Sequence, residues 1–189
     1  GKGKMKSADG SIYEGQWKDG KVNGQGKLTW PDGDIYEGQW KDSLRHGTGK
    51  MKSTDGDKYE GQWVDGYPNG EGERTYQNGD IYKGQSKDSM RHGTGKMIYQ
   101  DGNKYEGQWE NDDKHGEGEF TWPNGATYNG QFKDDNMNGK GEMIYQNGNT
   151  YYGEWVNNME HGGVLTKSNG EKILNYTCGI NDDPTICKG

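Results

Sequence analysis

Rings and glycines, not aliphatic side chains, carry the apolar pattern of this chain. Tyrosine stands at Tyr13, Tyr36, Tyr59, Tyr82, Tyr105, Tyr128 and Tyr151, a constant step of 23 residues (36 − 13). Two places on, Gly15, Gly38, Gly61, Gly84, Gly107, Gly130 and Gly153 keep the step; four places on come Trp17, Trp40, Trp63, Ser86, Trp109, Phe132 and Trp155. Residues at i, i+2 and i+4 share one face of a strand, so Tyr13, Gly15 and Trp17 line one side while Glu14 and Gln16 meet water on the other. The polar stretch Asp19-Gly20-Lys21-Val22-Asn23-Gly24 predicts a turn, after which Gly26, Leu28 and Trp30 alternate on a second strand. Pro31-Asp32-Gly33 predicts a tight turn into the next unit.

The pattern predicts an all-β fold: an elongated, twisted, single-layer antiparallel sheet of consecutive β-hairpins, with seven 23-residue repeats. At ~4.8 Å per strand such a ribbon is on the order of 70 Å long, and its ring face is expected to be concave. Glycines pointing to the ring side leave room for rings to lie over the backbone. Residues 1–12 read as a half repeat, full repeats begin at each of the seven tyrosines, and the array is expected to span 1–173. The seventh unit is short, because Gly162 and Gly163 are adjacent, and Ile173 then takes the tyrosine slot. Residues 174–189 are expected to form an irregular cap over the last edge. A second rhythm of 46 residues (87 − 41) repeats Lys41–Met51 as Lys87–Met97.

Composition sharpens this picture. Only 26% of residues are apolar, which alone points to disorder, but fixed register overrules that reading. Each unit is too small for a core of its own, so neighbours must share one. The net charge of −7 excludes nucleic acid as a natural partner and weakens adhesion to anionic lipid by bulk charge. No apolar run is long enough to span a bilayer and no signal-peptide core is present. The chain begins at Gly1 instead of Met, so it is expected to be trimmed from a longer one. The two cysteines, Cys178 and Cys187, both lie in the tail; a reducing compartment is expected, with a bridge between them left open.

Candidate chemistry is sparse. His46, His92, His115 and His161 share one slot with Asn23, Asn69 and Asn138, and read as turn residues. Glu14, Glu37, Glu60 and Glu106 form a solvated ladder across from Lys27, Lys50 and Lys96. The Asp-Gly and Asn-Gly turns lack the acidic spacing of a calcium loop, and no glycine run continues into a phosphate loop. No catalytic residue, metal or cofactor is therefore expected. The remaining constellation is aromatic. First-strand Tyr and Trp read as core, whereas the second-strand ring (Trp30, Tyr76, Tyr99, Trp122, Tyr145) varies and is expected to be partly exposed to a protein partner.

The pattern Tyr-Glu-Gly-Gln-Trp-Lys-Asp-Gly-x-x-x-Gly-x-Gly, as at Tyr13–Gly26, resembles the MORN (membrane occupation and recognition nexus) repeat over about residues 1–173. Ser86, Phe132 and the short seventh unit depart from it. The resemblance implies a cytoplasmic, non-enzymatic scaffold at membrane-associated, cytoskeletal or ciliary structures, docking a helix or extended peptide in an aromatic groove. The alternative, which the acidic balance disfavours, is a peripheral phosphoinositide-binding module using a local patch of Lys41, Arg45, Lys87 and Arg91 on anionic phospholipid. An accessory segment of a larger enzyme such as a lipid kinase, and an extracellular carbohydrate- or choline-binding repeat, would also use periodic units of this kind. Open sheet ends and edges favour a homodimer.

Overall fold

A computed structural model describes residues 1–178 and 187–188, with side chains through Thr177. The chain falls into two compact units, Gly1–Gly93 and Thr94–Gly189. The first holds β1 (Lys2–Lys6), β2 (Ile12–Lys18), β3 (Lys21–Thr29), β4 (Ile35–Lys41), β5 (Leu44–Lys52), β6 (Lys58–Val64), β7 (Tyr67–Thr75) and β8 (Ile81–Lys87). Strand β9 (Met90–Ile98) begins in the first unit and ends in the second. The second continues with β10 (Lys104–Glu110), β11 (Asp113–Thr121), β12 (Thr127–Lys133), β13 (Asn136–Ile144), β14 (Thr150–Val156), β15 (Met159–Thr166), β16 (Lys172–Cys178) and β17 (Cys187–Lys188). There is no helix among the described residues, and within each unit every strand runs antiparallel to its chain neighbour.

Turn chemistry explains the hairpins. Asp19 and Gly20 have φ of 51° and 76°, Asp42 and Ser43 48° and 70°, Asn157 and Asn158 49° and 67°. Two consecutive positive φ values make the two-residue turn whose twist matches that of the strands, and Asp and Asn tolerate it best among residues with a side chain. The chain therefore re-enters the sheet at Lys21, three residues before Gly24. This corrects the sequence expectation of a turn running to Gly24. It also moves His46, His92, His115 and His161 out of turns and into β5, β9, β11 and β15.

The extra length is absorbed in a β-bulge. Gly15 pairs with Gly26 and Trp17 with Val22, so Gln16 alone faces Asn23, Gly24 and Gln25. Gln16 Oε1 accepts a hydrogen bond from Gln25 N at 2.7 Å, restoring a partner that the ladder lost. Gln39, Gln62, Gln108 and Gln131 repeat this on Thr48, Glu71, Glu117 and Lys140, at 2.8 to 2.9 Å. The glycine inside the bulge is required twice over: Gly47 has a φ of 65°, and a Cβ there would strike the Gln39 side chain. Its positive φ is the same cue that marks a turn glycine in the sequence.

Successive hairpins are locked at their tips. Ser43 N donates to Val22 O at 2.9 Å, Asp135 N to Lys114 O at 3.1 Å and Asn158 N to Met137 O at 3.0 Å. In return Lys114 N donates to Asp135 Oδ1 at 3.0 Å and Met137 N to Asn158 Oδ1 at 2.8 Å. Beyond the last repeat, β16 pairs with β15 as far as Thr177, so the chain from Leu174 extends the sheet before any cap begins. Cys178 stands opposite Cys187 in register. Asp182-Asp183-Pro184 of the expected cap lie outside the described residues.

Candidate functional site

The core of each unit is a ladder of rings on one face of its sheet. Tyr36 lies over the glycine pair Gly38 and Gly49; a Cβ on Gly49 would come within 2.6 Å of the ring. Its neighbours on either side are Trp40 at 5.0 Å and Trp63 at 5.1 Å between centroids, both edge-to-face. Tyr105 meets Trp109 and Phe132 at 5.0 Å each, and Tyr128 meets Phe132 and Trp155 at 5.1 Å each. Such pairs stabilise by about 0.5–1.5 kcal/mol each beyond their buried area.

Both polar handles of the ladder are satisfied by backbone. Tyr36 Oη donates to Gln39 O at 2.9 Å and Tyr105 Oη to Gln108 O at 2.8 Å. Trp40 Nε1 donates to Gly26 O and Trp63 Nε1 to Gly49 O, each at 3.1 Å. Burial pushes the Tyr36 and Tyr59 phenols up to about 12, and those of Tyr105 and Tyr128 upward as well. With Tyr36, Tyr105, Tyr128 and Tyr151 all 0% exposed, these rings are floor, not contact surface.

The five rings assigned to a partner stand elsewhere. Trp30, Tyr76, Tyr99, Trp122 and Tyr145 are half-buried, and each opens the turn between hairpins instead of ending the second strand. Trp30 N donates to Asp34 O at 2.9 Å and Trp30 O accepts from Gly33 N at 3.0 Å, with equivalents at the other four. They are not left bare. Arg45 and Arg74 stack on Trp30 and Tyr76, at 5.9 Å and 5.0 Å from the ring centroids. Phe120 joins Tyr99 (6.4 Å) to Trp122 (4.7 Å), giving the second unit a three-ring patch that spacing from Tyr13 alone does not mark. A signal for it exists in the sequence: Leu28, Met51, Arg74, Met97, Phe120 and Met143 recur on the 23-residue step.

The cations expected to meet lipid divide into two kinds. Lys41 and Lys87 are exposed at the ends of β4 and β8. Arg45 is half-buried instead: it donates to Gly66 O at 2.6 Å and lies 4.6 Å from the Trp63 centroid and 5.9 Å from that of Tyr36. Arg91 is half-buried in β9. Around Lys41 and Lys87, the hairpin tips of the first unit expose Leu44, Val64, Tyr67 and Met90.

One slot links the hairpins most variably. Opposite the ladder's Trp or Phe come Val22, Arg45, Pro68, Lys114, Met137 and Glu160. Glu160 is 5% exposed, its Oε1 has no hydrogen-bond partner, and burial pushes its carboxyl up to about 7.

The opposite face of the first unit is polar. Lys4–Glu14 (2.5 Å) and Lys50–Glu60 (2.9 Å) are exposed ion pairs that add little stability. A hollow of about 640 Å³ lies here, between Glu37, Lys50 and Glu60 on one side and Gln25, Thr48 and Glu71 on the other. Among the described residues no group of three or more His, Cys, Asp or Glu side chains is placed to hold a metal ion, and no helix is long and apolar enough to cross a membrane.

Comparison with solved structures finds one that shares the fold at a TM-score of 0.50, and others with lower scores. The Drosophila melanogaster SAS-4 (dCPAP) TCP domain, in complex with a proline-rich motif of Ana2 (dSTIL), is 14% identical with a TM-score of 0.50, over 92% of this chain and 88% of that one. The TCP10c domain of Drosophila melanogaster Sas-4 is 14% identical with a TM-score of 0.46, over 92% and 98%. The Danio rerio CPAP TCP10 domain with a STIL peptide is 15% identical with a TM-score of 0.35, over 93% and 98%. A search of curated proteins returns no significant match. The MORN repeat profile matches seven consecutive segments, 13–35, 36–58, 59–81, 82–104, 105–127, 128–150 and 151–172. Hairpin, glycine pair and ring ladder thus recur in the units that the profile marks, and the chain belongs to the MORN repeat family.

Proposed function

We propose that this chain is a non-enzymatic scaffold that docks a helix or extended peptide of a protein partner along its half-buried turn rings. The observation that carries the reading is the division of the aromatics. The Tyr–Trp ladder satisfies its own packing and hydrogen bonds, while Tyr99, Phe120 and Trp122 form a ring cluster that is still partly open to solvent. Rings with one exposed side on a rigid sheet make a low-entropy docking surface. A similarly built domain, that of SAS-4, was solved with a proline-rich motif, which makes an extended proline-rich segment the first partner chemistry to try. A cytoplasmic, cytoskeletal or centriolar setting, and pairing of two copies through open sheet edges, belong to the same proposal.

The test compares wild type with the Trp122→Ala/Tyr145→Ala double variant, both checked for folding, in titrations with proline-rich peptides and in capture of partners. Binding lost in the double variant supports the reading; equal binding by both overturns the assignment. A second reading, a peripheral phosphoinositide-binding module, is favoured by the exposed tips Lys41, Leu44, Tyr67, Lys87 and Met90. It is tested by flotation with phosphoinositide liposomes, using Lys41→Glu/Lys87→Glu, since Arg45 is committed to the ring face. Light scattering that finds only monomer at high concentration removes the homodimer.

A further inference from the structure

The last seven-residue strand of the sheet has a thinner outer neighbour than those of the repeats. Strand β12, for example, lies between β11 and β13, each nine residues long. Strand β16 is also seven residues long, but β17 on its outer side has two, with Thr177 opposite Lys188 and Cys178 opposite Cys187. The ring packing that holds a first strand is reduced here too. Ile173 stands opposite Leu165, the place that Tyr151 takes opposite Met143, and no Gly-x-Trp follows it. Tyr176 meets Tyr151 at 6.1 Å between centroids, tilted instead of edge-to-face. Two paired residues form too short a ladder to hold a strand by themselves.

We infer that Cys178 and Cys187 form a reversible disulfide that ties β17 to β16. Directly opposed residues of an antiparallel pair have Cα atoms about 4.5 or 5.5 Å apart, according to the class of pair, and both separations lie within the ~4.4–6.8 Å that a disulfide spans. The register therefore brings the two cysteines within bonding reach without a shift of either strand. They are the chain's only two, so neither has a second sulfur of the same chain to choose. The oxidant is a small disulfide of the glutathione class. The thiolate of one cysteine attacks it, forming a mixed disulfide and releasing one glutathione; the second thiolate then displaces the other glutathione and closes the Cys178–Cys187 bond. Two electrons pass from the cysteines to the glutathione disulfide, and the two thiol protons end on the released glutathiones. The bridge supplies what the two-residue ladder lacks, because it removes the freedom of the connecting chain to swing away. On reduction β17 keeps only its two pairs, and the outer edge of β16 loosens. Nothing in this inference rests on the scaffold reading.

The full chain is equilibrated with oxidised or with reduced glutathione, trapped with an alkylating reagent and weighed intact. With oxidised glutathione the expected product is a monomer lighter by two hydrogens, carrying neither an alkyl group nor a glutathione. Proteolysis at Asp182 or Asp183, between the two cysteines, then yields two fragments that separate only on reduction. Hydrogen exchange reads the consequence for the strand: amides of Lys172–Cys178 exchange about tenfold faster in the reduced protein than in the oxidised one. Cys187→Ser exchanges at the reduced rate in both conditions and takes up a single glutathione at Cys178. The comparison of oxidised with reduced wild type needs no variant to fold. Two alkylated cysteines or two glutathione adducts in the oxidising condition, or a bridge between two chains, overturns the inference. Exchange in β16 that ignores the redox state overturns the tie between the strands. Loss of partner binding in the Trp122→Ala/Tyr145→Ala variant tests the scaffold reading separately.

Discussion

Two hairpins of the same family profile, β4–β5 in the first unit and β14–β15 in the second, keep one backbone plan with different side-chain solutions. Both place a tyrosine over a glycine pair and a tryptophan beside it, and both resume register through a bulge. In β4–β5 the bulge sets Gln39 against three residues, and the Gln39 side chain caps Thr48 N. In β14–β15 one residue is missing, so Glu154 faces only His161 and Gly162, and Glu154 is exposed. The slot beside the tryptophan holds Arg45 in one and Glu160 in the other. Arg45 is answered by Gly66 O and three rings; Glu160 has an unpartnered oxygen. The lesson is that ring and glycine are shared requirements, while the length of the bulge and the residue in its neighbouring slot vary, even to a carboxyl left with an unpartnered oxygen.

The largest effect should fall on what the two hairpins share. Gly49→Ala places a methyl against the Tyr36 ring, Gly163→Ala against Tyr151 Oη and Tyr152 O, and neither ring can retreat from a sheet it packs flat upon. Each substitution is expected to cost about 3 kcal/mol or more, read by urea denaturation with hydrogen exchange to locate the loss. A cost at Gly49 alone would show that the seventh repeat no longer needs the glycine pair.

The next effect separates the hairpins by pH. Glu160 has a folded pKa of about 7 against an ordinary 4.5, raised by burial, so folding favours its protonated form. Its contribution is fully present below about pH 4.5 and is lost as pH rises through 7, a change on the order of 2 kcal/mol. Glu160→Gln should remove that slope and stabilise the chain at pH 8, seen as a melting temperature that no longer falls between pH 5 and 8. Arg45→Gln should leave the slope intact while lowering stability at every pH, because its loss unstacks Trp63 and frees Gly66 O.

A smaller contrast concerns the bulge glycines. Gly47→Ala meets both a positive φ and the Gln39 side chain, whereas Gly162, at φ 74°, has nothing within 4 Å of its would-be Cβ. Gly162→Ala should cost about 1 kcal/mol, the conformational part alone, and Gly47→Ala roughly twice that. Equal costs, measured by melting of the two variants, would show that the glutamine simply swings aside.

How far the sequence can be read follows from the same features. Tyr, Gly and Trp on a 23-residue step determine strand faces and hairpin order, because each has a packing role that no other residue fills. The bulge is illegible because Gly24 carries a positive φ inside a strand, and nothing in Val22-Asn23-Gly24 distinguishes that from a turn. Gln16 reads as a solvated outer-face residue; its partner, Gln25 N, is nine residues away and visible only once the bulge is known. Variation on the 23-residue step separates Trp30 from the ladder rings, but alternation puts it on the strand where the structure puts it in the turn. Glu160 carries no signal, since its slot elsewhere holds apolar Val22, Pro68 and Met137 or cationic Arg45, Arg91 and Lys114, and nothing in that series announces a buried acid.

The smallest effect tests whether the capping glutamine is part of the shared plan or belongs to the longer bulge only. Gln39 Oε1 is 2.8 Å from Thr48 N, and removing it by Gln39→Ala leaves that N–H to find water at the sheet's outer face. Because the face is exposed, solvent recovers part of the bond, and a loss of about 1 kcal/mol is expected. Glu154→Ala removes no such bond and should stay within about 0.5 kcal/mol of wild type. Inserting Ser between Gly162 and Gly163 restores the missing residue, and combined with Glu154→Gln it should recreate the longer bulge. In that background, exchanging the introduced glutamine for alanine should cost about as much as Gln39→Ala does. If it costs nothing there, the glutamine is dispensable to the bulge, and its recurrence at Gln16, Gln39, Gln62, Gln108 and Gln131 answers to the outer face and not to the backbone.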